Sequence, residues 1–157
     1  MTETAATIVR LCTQRGLSVT TAESCTGGLV SAALTAIPGS SAMFQRGFVT
    51  YSNEAKADML GVSPATLDAH GAVSEEVAGE MAQGALRAAR ADIAVSISGI
   101  AGPGGSEHKP EGRVCFGLAT QAGVETLTRE FGPLGRDGVR RESVVQALDL
   151  IANAIEG

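Results

Sequence analysis

Tryptophan is missing from this chain and tyrosine occurs once, so aromatic side chains amount to 3% of its 157 residues. With apolar residues at 44%, the core has to be built from Ala, Val, Ile, Leu and Met, and such a core lets elements pack closely. Cysteine is scarce as well. Cys12, Cys25 and Cys115 are odd in number and lack CxxC spacing, which excludes a disulfide framework and a thiolate zinc site. Two histidines supply no metal-ligand set, and neither a metal nor a cofactor is expected. No apolar run approaches the ~20 residues of a membrane span. Met1 to Arg15 reads as an amphipathic helix and not as a leader, because Arg10 and Arg15 lie inside the apolar pattern. The 12 basic residues do not cluster and the net charge is −5, which argues against nucleic acid as a partner. Small molecules remain, in a cytoplasmic protein that makes no use of a membrane.

What the chain does have is glycine, 20 of them, and regular periodicity. Ala5, Ile8, Val9 and Cys12 recur at helical spacing and Gly16 falls where a left-handed cap belongs. Val19 to Ala22 reads as a strand, and Leu29, Val30, Ala33, Leu34 and Ile37 mark a helix stopped by Pro38-Gly39. Phe44 to Tyr51 reads as a second strand, Asn53 to Leu60 as a short helix closed by Gly61, and Ser63-Pro64 as another helix start. Ser74, with Glu75 and Glu76 behind it, opens a longer helix with Val77, Met81, Ala85 and Ala88 on one face. Asp92 to Ser98 alternates strictly and reads as the central strand. After a Gly-rich loop from Gly99 to Gly112, Val114, Phe116 and Leu118 alternate with smaller residues, and Glu125 to Phe131 returns as a hairpin across Ala122-Gly123. Asp137 is a candidate cap for the last helix, striped by Val144, Leu148, Ile151 and Ile155. No composition break divides the chain. The expected fold is a single-domain α/β three-layer sandwich, with a mixed, mostly parallel sheet, helices on both faces and a C-terminal antiparallel hairpin.

Three segments carry chemistry. Ser24-Cys25-Thr26-Gly27-Gly28 lies where a strand gives way to a helix, so unpaired amides and the positive helix end converge there; it reads either as an anion or oxyanion site or as a plain helix cap. In Tyr51-Ser52-Asn53-Glu54-Ala55-Lys56, Lys56 falls near Ser52 and Asn53 by helical spacing, and reads either as a site residue or as a solvated charge. Ser98-Gly99-Ile100-Ala101-Gly102-Pro103-Gly104-Gly105 leaves the central strand at its carboxyl end, where open α/β sheets bind ligands.

Extended by Thr21-Ala22-Glu23, these three segments resemble, in order and spacing, the signature blocks of the CinA C-terminal domain family, and the resemblance covers nearly the whole chain. It implies one amidohydrolase domain over residues 1–157. The activity it implies is hydrolysis of the carboxamide of nicotinamide mononucleotide to nicotinate mononucleotide and ammonia. By motif it also implies a serine nucleophile, Ser24, a lysine, Lys56, and Tyr51, Arg140 and Ser98 nearby, with Arg141 as the neighbour competing with Arg140. Substrate contacts are expected at Cys25, Thr26, Gly27, Gly28, Asn53, Gly99, Ala101, Gly102, Gly104 and Gly105. Two features depart from the family pattern: Ser98 stands where Thr is usual, and Glu111 and Arg113 replace an apolar and a small residue in a loop one residue short.

An amide carbonyl demands a strong nucleophile, and no histidine is placed to activate Ser24, so Lys56 has to act as the base. Lowering its pKa by about three units requires roughly 4 kcal/mol of bias against the charged form, from burial or from a neighbouring cation such as Arg140. Amides around Thr26, Gly27 and Gly28 are the expected oxyanion donors, and Tyr51 is expected to orient Lys56 or relay its proton. The two Gly-rich segments could exchange the oxyanion and phosphate roles. Three alternatives stand beside this reading: a cysteine hydrolase using Cys25 with His70 or His108, a nucleotide-binding module without turnover, and an amidohydrolase of other carboxamides. A homo-oligomer is expected from the Gly- and Ala-rich surface.

Overall fold

The computed structural model describes Met1–Gly157 throughout. Its strands are β1 (Val19–Glu23), β2 (Phe48–Val49), β3 (Ile93–Gly99), β4 (Arg113–Thr120) and β5 (Gly123–Glu130). They form one sheet in the order β2-β1-β3-β4-β5, with β1 parallel to both of its neighbours and the β3-β4-β5 side antiparallel. The alternating strand Ile93–Gly99 is the middle one, as the sequence suggests.

Alternation decides which layer each side chain joins. Ile93, Val95 and Ile97 of β3 and Val114, Phe116 and Leu118 of β4 face α1 (Thr2–Arg15), α2 (Leu29–Thr35) and α6 (Arg136–Glu156), forming the larger apolar cluster. Ala94 and Ala119 face the opposite way, onto α5 (Glu75–Ala89), with α3 (Asn53–Leu60) and α4 (Pro64–His70) alongside it. That second face is lined with small residues, and α5 lies very close to it. Ser96 Oγ donates to the Ala78 carbonyl at 2.5 Å. A Cβ at Gly117 would overlap the same carbonyl. The scarcity of aromatics is thus matched by a helix seated almost on the sheet backbone.

Gly16, at φ 67°, closes α1 in the left-handed conformation that glycine tolerates. Other local expectations are corrected. The strand expected over Phe44 to Tyr51 pairs only at Phe48–Val49, because the approach to β1 is made through side chains: Thr20 Oγ1 donates to the Arg46 carbonyl, and Gly47 sits against Thr21 Oγ1. β5 begins at Gly123, since the tight turn uses Gln121 and Ala122 and pairs Thr120 with Gly123. α6 is capped by Gly135, which leaves Asp137 in its first turn. His70 is the last residue of α4. No helix is long and apolar enough to cross a membrane.

The position of α3 depends on one glycine. A Cβ at Gly84 on α5 would overlap the carbonyl oxygen of Leu60 at the end of α3. Gly84→Ala is therefore expected to destabilise the fold by about 1–3 kcal/mol, as overpacking does, measured by urea denaturation. Unchanged stability would show that α3 can shift without cost.

Candidate active site

β1 and β3 run parallel and end side by side, and their carboxyl ends open into a cleft of about 350 Å³. This lies within the ~300–1,000 Å³ typical of small-molecule sites. β1 connects through α2 on one face of the sheet, and the return from β2 to β3 passes through α5 on the other, so the crevice lies at a topological switch point. Ser24 follows β1 directly and is fixed by its N–H donating to the Ile97 carbonyl at 2.9 Å. Lys56 comes from the first turns of α3, whose N-cap Ser52 accepts from the Ala55 amide.

Lys56 is only 1% exposed and is among the largest fully buried side chains in the protein. Its Nζ lies 3.0 Å from Ser24 Oγ, 2.8 Å from the Thr50 carbonyl and 3.3 Å from the Tyr51 carbonyl. The two carbonyls can only accept. A neutral amine has two N–H groups and one lone pair, so with the carbonyls taking the hydrogens the lone pair is left for the Ser24 hydroxyl. Burial pushes the Lys56 pKa down from 10.5 to about 8, against smaller opposing effects of Cys25 and Glu107. Burial is the source of the depression; Arg140 is engaged elsewhere.

The helix end that the sequence offers as an anion site is already filled. Glu23, fully buried, places its carboxylate on the start of α2 and accepts from the amides of Gly28, Val30 and Ser31 and from the hydroxyls of Thr26 and Ser31. Thr26, Gly27 and Gly28 accordingly stand outside the cleft lining. Among the amides from Ser24 to Ser31, only those of Cys25 and Thr26 donate to no protein acceptor. Arg140 does not reach the cleft either. It donates to the carbonyls of Cys25 and Thr26, and because a trans peptide directs its N–H opposite to its C=O, it turns the Thr26 amide away from itself. Arg141 is exposed and has no contact with this turn.

Tyr51 lies at the cleft mouth, 60% exposed, and serves Lys56 through its carbonyl. Its hydroxyl accepts instead from Arg136 at 2.7 Å. Ser98 lines the cleft, but its hydroxyl donates to the Ala72 carbonyl at 2.8 Å. Cys25, Asn53, Gly99, Ala101, Gly102, Gly104 and Gly105 all line the cleft. Two charged groups of the lining were not apparent from the motifs, and a third, Glu111, is the departure from the family pattern noted above. Glu107 and Arg136 join the lining, and Glu111 accepts from the amides of Gly104 and Gly135, tying the Gly-rich loop to the start of α6. A signal for Arg136 was present in its spacing, since it stands one helical turn before Arg140. Arg113 does not line the cleft; its side chain pairs bidentately with Glu130 across the outer hairpin.

The cysteine alternative loses its chemistry. Burial pushes the Cys25 thiol up to about 11, so it is not a thiolate near neutrality. His70 lies 3.6 Å from Glu76, and neither it nor His108 lines the cleft. Cys12 and Cys115 are buried in the apolar clusters.

Residues 1–155 match the CinA C-terminal domain family. A nicotinamide-nucleotide amidohydrolase PncC of Escherichia coli (strain K12) is 62% identical over 138 residues, covering 87% of this chain and 84% of that protein. A putative competence-damage inducible protein of Symbiobacterium thermophilum is 51% identical across 94% of this chain, which spans only 37% of that longer protein. Among solved structures, the competence/damage inducible protein CihA of Agrobacterium tumefaciens superposes with a TM-score of 0.95 at 48% identity, over 99% of this chain and 95% of that one.

The buried amine makes a prediction about folding. Between pH 8 and 10.5 the unfolded chain keeps a proton that folded Lys56 has released, so this group makes folding more favourable as pH rises through that window. Lys56→Met removes the titration. The unfolding free energy of the wild type minus that of Lys56→Met is expected to grow across that interval in urea melts; a flat difference would assign Lys56 an ordinary pKa.

Proposed function

The chain belongs to the CinA C-terminal domain family, and from that premise we propose that it is an amidohydrolase of nicotinamide mononucleotide in which Ser24 is the nucleophile and Lys56 its base. The observation that carries the reading is the 3.0 Å contact between Lys56 Nζ and Ser24 Oγ, with two main-chain carbonyls also within hydrogen-bond distance of the amine. The 62% identity to a named nicotinamide-nucleotide amidohydrolase supports the substrate.

Lys56 takes the Ser24 proton as Oγ attacks the carboxamide carbon, and the carbonyl π pair moves onto oxygen. The unengaged amide of Cys25, a residue of the cleft lining, is the donor available to that oxyanion, in place of the Thr26, Gly27 and Gly28 amides that the sequence pattern suggests. Collapse breaks the C–N bond while Lys56 returns the proton to the leaving nitrogen, giving ammonia and an acyl-serine ester. Water then adds to the ester with Lys56 again as base, releasing the carboxylate and restoring Ser24. Arg140 holds the carbonyl side of the oxyanion turn and Ser98 holds the Ala72 carbonyl at the cleft wall, both as positioning residues.

Ammonia release from nicotinamide mononucleotide is the test. Ser24→Ala and Lys56→Ala are each expected to lower kcat by at least about 10³-fold, the scale of losing an activated nucleophile or its base. Undiminished turnover in Ser24→Ala rejects the nucleophile, and calorimetric binding of the mononucleotide without ammonia points to a binding module. Because the base works only when unprotonated, kcat/KM is expected to rise with pH, pass half its maximum near 8 and level off above that. A profile that is flat from pH 6 to 9 would remove Lys56 from the role.

A further inference from the structure

Three charged side chains line the cleft: Lys56, Glu107 and Arg136. Lys56 is buried and engaged with Ser24, and Glu107 has the wrong sign for an anion. Arg136 Nη1 donates to the Gly102 carbonyl and Nη2 to the Tyr51 hydroxyl, each at 2.7 Å. Both acceptors are neutral. The ion pairs of the protein are His70 with Glu76 and Arg113 with Glu130, so no carboxylate lies within ion-pair distance of Arg136. A guanidinium has five N–H donors in a rigid fork. Two are used to fix its plane, and the rest have no protein acceptor.

The neighbouring main-chain anion positions are closed. The Gly104 and Gly135 amides donate to Glu111, and those of Gly28, Val30 and Ser31 donate to Glu23. The Glu111 carboxylate thereby fixes the loop that presents the Gly102 carbonyl and the helix start that carries Arg136.

We propose that Arg136 is the anchor for the substrate's phosphate, the residue that makes a phosphorylated pyridine nucleotide a better substrate than the corresponding nucleoside. This rests on the amidohydrolase reading, which places the pyridine carboxamide at Ser24 and leaves the ribose phosphate to reach the mouth where Arg136 is fixed. An oriented guanidinium without a counter-ion suits a phosphate dianion, which accepts two parallel N–H bonds. Tyr51, the other residue holding that fork, orients it.

The test compares kcat/KM for nicotinamide mononucleotide and for nicotinamide riboside in wild type, Arg136→Ala and Arg136→Lys. The mononucleotide-to-riboside ratio is expected to fall about 10- to 100-fold in Arg136→Ala, the worth of charge-assisted hydrogen bonds to phosphate, and less in Arg136→Lys, which keeps the charge but loses the fork. If Arg136 merely ties the loop, both substrates suffer alike and the ratio holds, which overturns the proposal. Inorganic phosphate is expected to compete with the mononucleotide in wild type and to lose that effect in Arg136→Ala; equal inhibition of both proteins would also overturn it.

Calorimetry on Ser24→Ala, with and without Arg136→Lys, separates this proposal from the reading it rests on. Should the wild type release ammonia from neither compound, the amidohydrolase reading fails. The anchor then stands if the Arg136→Lys change weakens binding of the mononucleotide relative to that of the riboside, and falls if the difference between the two is unchanged. The same lysine arm decides the matter if Arg136→Ala does not fold.

Discussion

One buried amine sets the terms for everything around it. Lys56 Nζ has three oxygen neighbours and no carboxylate at ion-pair distance. Two of those oxygens are carbonyls that demand hydrogens, and the third belongs to a hydroxyl that can give one up. An ammonium in this position gains three hydrogen bonds and loses its hydration with no counter-charge in return, whereas a neutral amine satisfies the same contacts without a buried charge. The environment thus shifts the amine toward the unprotonated form that the proposed base requires, and burial is the dominant cause of the lowered pKa.

The fold supplies the three oxygens from neighbouring pieces of backbone. Ser24 hangs from β1 through the Ile97 carbonyl of β3, while Thr50 and Tyr51 are joined to the same strand end by the Thr50 amide donating to the Glu23 carbonyl. Lys56 approaches from the opposite side on α3, which rests on α5 at Gly84. α5 in turn lies against the Ala-, Ser- and Gly-bearing face of β3 and β4. A larger side chain at Ser96, Gly117 or Gly84 would move α5 or α3 outward and carry the amine away from Ser24. The near absence of aromatic residues is therefore a requirement of the site as much as of the core.

Much of this was legible in the sequence, and the omissions share a physical reason. The layers followed from alternation in β3 and β4 and from the stripes on α1, α5 and α6, because periodicity reports burial directly. Ser24 and Lys56 came through a family resemblance, and the structure puts them in contact. What periodicity cannot report is which side chain completes a backbone donor or acceptor. The amides opening α2 were visible as a candidate site, but their occupant, Glu23, was not, since a carboxylate just before a helix looks the same whether it points inward or into solvent. Arg140 and Arg136 stand four residues apart on one helix face, and only the distance to the Cys25 carbonyl or the Tyr51 hydroxyl separates their roles. The short β2 was misjudged because an apolar run does not reveal that Thr20 and Thr21 side chains take up the edge of β1.

Glu23 and Glu111 do for this cleft what bound anions do elsewhere, and their placement shapes its electrostatics. For a chain with net charge −5, the proposed phosphorylated substrate requires that nearby carboxylates be neutralised. Both are neutralised by main-chain amides, Glu23 at the start of α2 and Glu111 at Gly104 and Gly135, and Glu111 stands where the family resemblance leads one to expect an apolar residue. Had either carboxylate paired with Arg136, the cleft would have lost its one uncompensated cation. Had one approached Lys56, the amine would have kept its proton, as the opposing effect of Glu107 indicates. Assigning the acids to amides leaves one cation at the mouth for the proposed anion and one amine in the interior for the proposed proton transfer, and the two tasks do not interfere.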